Sequence, residues 1–325
     1  MTDVNVRDAV ERLKGRVRRT PLLPLTHPEL GAVRVLVKPE SLQLTGSFKI
    51  RGATNFLASL PPVQRRLGVV AHSSGNHAQG VAAAARAYGV QATVVIPEGA
   101  PDIKVEGTKA LGARVVRCEQ TRQARDDAME EIAVETGATR LPPYDHARVI
   151  EGQGTVGWEI AEDLPDVANV LVPIGGGGLA SGVCLALKEL APEAQVIGVE
   201  PALAADAQES LRVGERVTWP AERTNATMAD GVRSQVIGEL NFAVLKDHLT
   251  GVVAVPEEAI AAAVRHHALS TKLVVEPTGA ITLAALLRLA REGSADGVTL
   301  APGPTVIVAS GGNVEPAQLA RLLTA

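Results

Sequence analysis

Short β-branched runs ending in small or polar residues alternate along the chain with stretches whose apolar positions recur every three or four residues. VVAHSS leads into NHAQGVAAAARAYG, ATVVIP into PDIKVEGTKALG, and ARVVRC into TRQARDDAMEEIAVETG. A second series follows, with NVLVPI before GGGGLASGVCLALKEL, QVIGVE before ALAADAQESL, and PTVIVAS before a last helix near the C-terminus. Parallel strands covered by helices on both faces read as such apolar runs, so the pattern predicts an α/β fold with two open parallel-sheet, three-layer domains. Two double prolines, Pro61-Pro62 and Pro142-Pro143, bracket the first series. Proline interrupts helices and stiffens connections, which places a small domain at 62–145 and a larger, discontinuous one at 1–61 and 146–325. A ligand site is expected between them, outside the carboxyl ends of the strands.

Composition narrows the partners. The 325 residues suit about two domains, and 46% hydrophobic residues suffice for buried cores. A net charge of −4 and 2% aromatic residues give no basic surface or stacking platform for nucleic acid and no attraction to a membrane surface. The N-terminal MTDVNVRDAVERLKGRVRR spreads charges through a helical pattern and has no apolar core, so neither a signal peptide nor a membrane span is expected and the chain is assigned to the cytoplasm. Cys118 and Cys184 lack pairing or metal-ligand spacing and are expected to be small buried core residues.

Four segments carry candidate chemistry. In LTGSFKIRG, residues 44–52, apolar positions at Ile50, Ala53, Phe56, Leu57 and Leu60 predict a helix capped at Gly46-Ser47, with Lys49 in its first turn. A lysine there meets the positive end of the helix dipole, which together with desolvation favours the neutral, nucleophilic amine. GGGGL, Gly175 to Leu179, follows a strand and opens a helix, where backbone N–H groups can close around an anion such as phosphate. The same stretch satisfies G-x-G-x-x-A through Gly175, Gly177 and Ala180, with Glu200 at the end of the next strand, so a nicotinamide-dependent oxidoreductase is one alternative. SSGNHAQG, from Ser73 to Gly80, could seat a carboxylate or simply cap its helix, and SGGN, from Ser310 to Asn313, puts a hydroxyl at a strand end. No serine lies in a G-x-S-x-G elbow, which disfavours a serine hydrolase.

TGSFKIRGA, SSGNHAQG, IEGQGTVGWE, VPIGGGGLASG, ADGV, VEPTGA and SGGNV occur in this order over nearly the whole chain. In this the sequence resembles the fold type II pyridoxal-phosphate enzymes, and within them the threonine and serine dehydratases and the related serine racemases. The resemblance implies that Lys49 is covalently joined to pyridoxal 5'-phosphate, with Phe48 beside the ring and Asn76 at the ring hydroxyl. It further implies that Gly175, Gly176, Gly177, Gly178 and Leu179 hold the phosphate and that Ser310 meets the pyridine nitrogen. Ser73, Ser74, Gly75 and His77 would surround the substrate carboxylate, and Ser74 would join Lys49 as a catalytic residue on the opposite face. The implied activity is ammonia release from L-threonine or L-serine, with serine racemisation and threo-3-hydroxyaspartate dehydration as alternatives; a homodimer is implied as well.

The resemblance also places a divalent cation, Mg²⁺ or else Ca²⁺ or Mn²⁺, on Glu200, the carbonyl of Ala204 and Asp206, an all-oxygen set suited to hard cations. Where many relatives carry a His-Pro pair, this chain reads PPYD at 142–145, which leaves the preferred substrate side chain open. The sequence ends at Ala325 with no room for the regulatory domain of biosynthetic threonine dehydratases, so isoleucine feedback is not expected. A cofactor-binding carrier or sensor without turnover is the remaining alternative.

Overall fold

A computed structural model describes residues 4–31, 33–73, 75–100 and 102–324. The chain begins with α1 (Val6–Leu13), β1 (Leu23–Leu25), β2 (Val35–Pro39), α2 (Lys49–Ser59) and α3 (Pro62–Leu67). Next come β3 (Val69–His72), α4 (Asn76–Tyr88), β4 (Ala92–Pro97), α5 (Asp102–Ala110), β5 (Arg114–Cys118), α6 (Arg122–Thr136) and β6 (Thr139–Arg140). The remainder holds α7 (Ala147–Asp163), β7 (Asn169–Pro173), α8 (Gly178–Leu190), β8 (Gln195–Pro201), α9 (Asp206–Val213), α10 (Ala221–Thr224) and α11 (Glu239–His248). It closes with β9 (Gly251–Val255), α12 (Glu257–His266), α13 (Pro277–Glu292), β10 (Thr305–Ala309) and α14 (Pro316–Thr324).

Two sheets result, as the alternating pattern predicts. The larger has strand order β1-β2-β10-β7-β8-β9, parallel throughout except for the antiparallel β1–β2 edge pair. The smaller has order β5-β4-β3-β6 and is wholly parallel. β2, β7 and β10 are buried along their whole length, consistent with sheets covered on both faces.

Helix α2 is amphipathic in a way that ties the two sheets together. Ile50, Ala53, Phe56 and Leu57 enter the core of the smaller sheet with Val69, Ala71, Val94 and Ile96; each fully buried large apolar side chain contributes about 1.5–3 kcal/mol. From the same helix, Arg51 reaches Glu40, which follows β2, and Glu159 on α7. Close helix approach depends on glycine: a Cβ on Gly152 of α7 would lie 2.6 Å from the carbonyl oxygen of Arg51, and one on Gly154 would lie 2.9 Å from that of Gly182 on α8. The motif IEGQGTVGWE therefore packs α2 on one side of α7 and α8 on the other.

Three sequence expectations need correction. Gly46-Ser47 does not cap α2: the capping position is Phe48, no side chain bonds the first turn, and Ser47 instead pairs with Gly311 in an isolated bridge. Cys184 is buried as expected, but Cys118 is only partly so, because it closes β5 at the edge of the smaller sheet. Strands β2 and β9 lie outside the two series read from the sequence. The lysine within VLVKP interrupts an apolar run, yet Lys38 is fully buried and paired with Glu159 at 2.6 Å.

Candidate active site

Three loops leave the carboxyl ends of β3, β7 and β10, and the start of α2 lies against the last of them: the Phe48 N–H donates to the Ser310 carbonyl at 3.1 Å. Phe48, Lys49, Tyr144, Gly175 to Gly178, Leu179, Thr278 and Ser310 line one cavity. The Lys49 side chain borders that cavity and is partly exposed, but protein atoms enclose its amine, and this burial pushes the pKa down to about 8. Nζ donates to the Pro143 carbonyl at 2.8 Å and stands 5.2 Å from the centroid of the Phe48 ring. The Ser310 hydroxyl is 2% exposed and has no hydrogen-bond partner.

The glycine loop turns into α8 at Gly177, whose φ of +95° suits glycine alone. The first N–H groups of a helix have no acceptor within the helix, so this end is a natural anion site. Side chains cannot replace these glycines: a Cβ on Gly175 would lie 3.1 Å from the Val232 Cα, and one on Gly176 would run into the Tyr144 ring. That ring lines the cavity, whose volume is about 40 Å³. Asn241 Nδ2 holds the loop from behind, donating to the Gly176 carbonyl at 2.8 Å. Asp145 accepts from the N–H groups of Glu239 and Leu240 at 2.9 and 3.0 Å, fixing the start of α11 beside it.

Asn76 opens α4 and is held at both ends of its amide. Nδ2 donates to Glu276 Oε1 at 2.6 Å, and Oδ1 accepts from Asn313 Nδ2 at 2.7 Å. Burial, with the nearby Asp230, pushes the Glu276 carboxyl up to about 7. His77 is buried with Nε2 3.2 Å from the Leu141 carbonyl oxygen, and burial with the Lys49 charge pushes its pKa down to about 3, so the ring is neutral. The Ser73 hydroxyl accepts from the Gly75 N–H at 3.1 Å. Ser74 lies outside the described residues. Ser73, Gly75 and His77 gather at the β3 end but do not line the Lys49 cavity.

Glu200, Ala204 and Asp206 form a separate buried group at the end of β8. Both Asp206 oxygens are buried with no hydrogen bond of ordinary geometry, the backbone N–H groups of Asp206 and Ile237 only facing them, while Glu200 accepts from the N–H groups of Ala207 and Gln208 at 3.2 and 2.8 Å. Burial raises both carboxyls, and Asp206 adds to the rise at Glu200. Among the described residues no group of three or more His, Cys, Asp or Glu side chains could hold a metal ion. Any cation here therefore depends on two carboxylates and a carbonyl.

The sequence reading missed Tyr144, Glu276, Thr278 and Asn313 as site residues. VEPTGA contains two of them and was distinctive as a string, but only the fold brings Glu276 to Asn76, 200 positions away.

The family described as "Pyridoxal-phosphate dependent enzyme" matches residues 13–311. An L-threonine ammonia-lyase of Geobacter sulfurreducens is 43% identical over 95% of this chain and 75% of its own length. An L-threo-3-hydroxyaspartate ammonia-lyase of Saccharomyces cerevisiae is 37% identical over 98% of this chain and 95% of its own. The solved structure of maize serine racemase superposes with a TM-score of 0.89 at 36% identity, covering 98% of this chain and 95% of that one. The oxidoreductase alternative falls: the family accounts for the glycine loop, and both carboxylate oxygens of Glu200 are engaged by backbone N–H groups. The chain belongs to the pyridoxal-phosphate-dependent enzymes of fold type II.

Proposed function

We propose that the protein is a hydroxyamino-acid ammonia-lyase that converts L-threonine or L-serine into 2-oxobutanoate or pyruvate plus ammonia. The observation that carries this reading is the enclosed Lys49 amine sharing one cavity with a glycine loop and an unpartnered serine hydroxyl. That donor set fits pyridoxal phosphate: a nucleophilic amine for its aldehyde, helix N–H groups for its phosphate, and a hydroxyl for its ring nitrogen. When bound, the cofactor supplies an electron sink for charge developing at the substrate Cα.

The remaining roles belong to the protein. Lys49 would anchor the cofactor through its amine, and that amine is the group placed to take the Cα proton of the substrate; a pKa near 8 leaves about one amine in ten neutral at pH 7. Phe48 would pack beside the ring, Asn76, its amide held by Glu276 and Asn313, would meet the ring hydroxyl, and Gly175 to Gly178 with Leu179 would take the phosphate. Ser310 offers the ring nitrogen a hydroxyl instead of a carboxylate, a milder arrangement that suits prompt loss of the β-substituent. Ser73, Ser74 and Gly75, with the backbone N–H of His77, would receive the substrate carboxylate, while the neutral His77 ring donates its one N–H to the Leu141 carbonyl. The β-hydroxyl leaves as water, and the released enamine hydrolyses to the 2-oxo acid and ammonia, so no net water is consumed.

A divalent cation completes the reading at Asp206, Glu200 and the Ala204 carbonyl, since two adjacent buried carboxylates, one of them also held by the N–H groups of Ala207 and Gln208, offer an all-oxygen set to a hard cation. The same reading keeps a small domain at 62–145 against 1–61 with 146–325, and a cytoplasmic homodimer whose mass sedimentation would check. Racemisation is the second reading, favoured by Ser74 within SSGNH and by the likeness to maize serine racemase.

One substrate panel decides between the readings. Purified protein with pyridoxal phosphate is expected to release ammonia steadily from L-threonine or L-serine, with D-serine a minor product. Replacement of Lys49 by alanine should remove about a thousandfold of this activity or more. Dominant D-serine formation would install the racemase reading, and cofactor binding without turnover would leave only a carrier.

A further inference from the structure

We propose that Arg51 is a positioning residue for Lys49, gripping Glu40 and Glu159 so that helix α2 presents the lysine amine to the glycine loop in one fixed orientation. The inference rests on the reading of Lys49 as the cofactor anchor.

Arg51 follows Lys49 by two residues in the first turn of α2 and is fully buried. Its five N–H groups meet six acceptors. Nε and Nη2 each donate to Glu40 at 2.8 Å, and Nη1 and Nη2 donate to Glu159 at 2.7 and 2.9 Å. Thr155 Oγ1 accepts from Nη1 at 3.0 Å, and the Arg18 carbonyl accepts from Nη2 at 3.2 Å. The carboxylates are themselves held, Glu40 by the Thr20 hydroxyl and Glu159 by Lys38, each at 2.6 Å.

A buried ion cluster is a poor route to stability, since well-packed apolar side chains of equal volume often do as well or better. It does supply direction: a planar guanidinium bound in pairs to two carboxylates admits one orientation, which a lysine ammonium cannot reproduce. Five of the six acceptors, on Glu40, Glu159 and Thr155, lie on the turn after β2 and on α7, so the grip sets α2 against both. α7 is also the surface on which α8 lies through Gly154 and Gly182, and α8 begins at the glycine loop. Amine and anion cradle are thereby referred to one common helix, and a misplacement of about 1 Å at a reacting group can cost about a hundredfold in rate.

The test uses the full-length protein with Arg51→Lys. Readouts are the pyridoxal phosphate Kd of the resolved protein, thermal unfolding, kcat and KM, and the borohydride-labelled residue found by mass spectrometry. The variant is expected to keep its fold, to raise Kd about tenfold or more, and to lose more in kcat than it gains in KM. Leu289→Ala, a buried core substitution about 16 Å along α13 from Thr278, is the matched control. It should lower Tm at least as much while moving Kd less than about twofold.

Arg51→Lys with lowered Tm but the wild-type Kd and kcat would overturn the proposal, because the cluster would then be scaffold alone. If that variant does not fold, Thr155→Val removes one of the six acceptors of Arg51 together with the hydroxyl's own bond to the Gly152 carbonyl, with about a threefold rise in Kd expected; an unchanged Kd would be equally fatal. Wild-type protein labelled at a residue other than Lys49 is a separate result that removes the functional reading itself.

Discussion

Two buried polar regions of this molecule are built on opposite terms. Around Arg51, two cations and two carboxylates lie at 0–8% exposure, and each has partners within 3 Å. The Ser310 hydroxyl at the end of β10 is as deeply buried and has none, and beside β8 the buried Asp206 carboxylate has only backbone N–H groups facing it. Burying a polar group without a partner costs roughly 1–3 kcal/mol, so native chains rarely leave one so unless something else is to bind it. The satisfied region holds α2, α7 and β2 together, whereas Ser310 lines the Lys49 cavity and is the unsatisfied group that faces the proposed cofactor site.

The sharpest way to break the contrast is to unbalance the satisfied region. Arg51→Met leaves two carboxylates buried with Lys38 as their one cation, and about 3–5 kcal/mol should be lost in urea unfolding. A loss under about 1 kcal/mol would mean that the cluster is not tightly coupled. Next is Glu276, whose carboxyl is raised from 4.5 to about 7 by burial and Asp230. Because the folded state holds this proton more tightly, its contribution is complete below about pH 4.5 and is lost as pH rises through 7, a swing of about 3 kcal/mol. Glu276→Gln should therefore flatten the fall in stability between pH 5 and pH 8; an unchanged slope would assign the titration elsewhere.

At Asp206 the effect depends on added cation. With a divalent ion at about a hundred times its Kd, the wild-type protein should gain about 2.7 kcal/mol of stability. Asp206→Asn should gain far less, and equal gains would place the ion at another site. The smallest expected effect is that of Ser310→Ala, which removes an unpartnered hydroxyl. Apoprotein stability should not fall, while pyridoxal phosphate affinity drops about fivefold, or ~1 kcal/mol. A destabilised apoprotein with unchanged affinity would show that the hydroxyl serves the fold.

The three loops at strand ends were legible because glycine runs and capping residues are local signals. GGGGL, SSGNH and SGGN each lie between an apolar run and a helical pattern, and each stands in the structure at the end of its strand. Pairings across long separations were not legible. Nothing local to VLVKP announces a strand beside β10, 270 positions later, because its lysine is satisfied by a glutamate on α7. Glu276 is hidden in the same way: its partner Asn76 belongs to the smaller sheet's first helix. The α2 cap was misread because Ser47, a favoured capping residue, is recruited into a bridge with Gly311.

The position of β10 has a consequence for how the chain reaches its native state. This strand lies between β2 and β7 in the middle of the larger sheet, yet it is the last strand in the chain. During synthesis β2 and β7 must wait with open edges until residue 309 has emerged from the ribosome, whereas the contiguous smaller sheet can close early. Refolding in vitro should accordingly be biphasic, with the Ser310 loop ordered in the slow step, and a nascent chain halted before β10 should need chaperone protection.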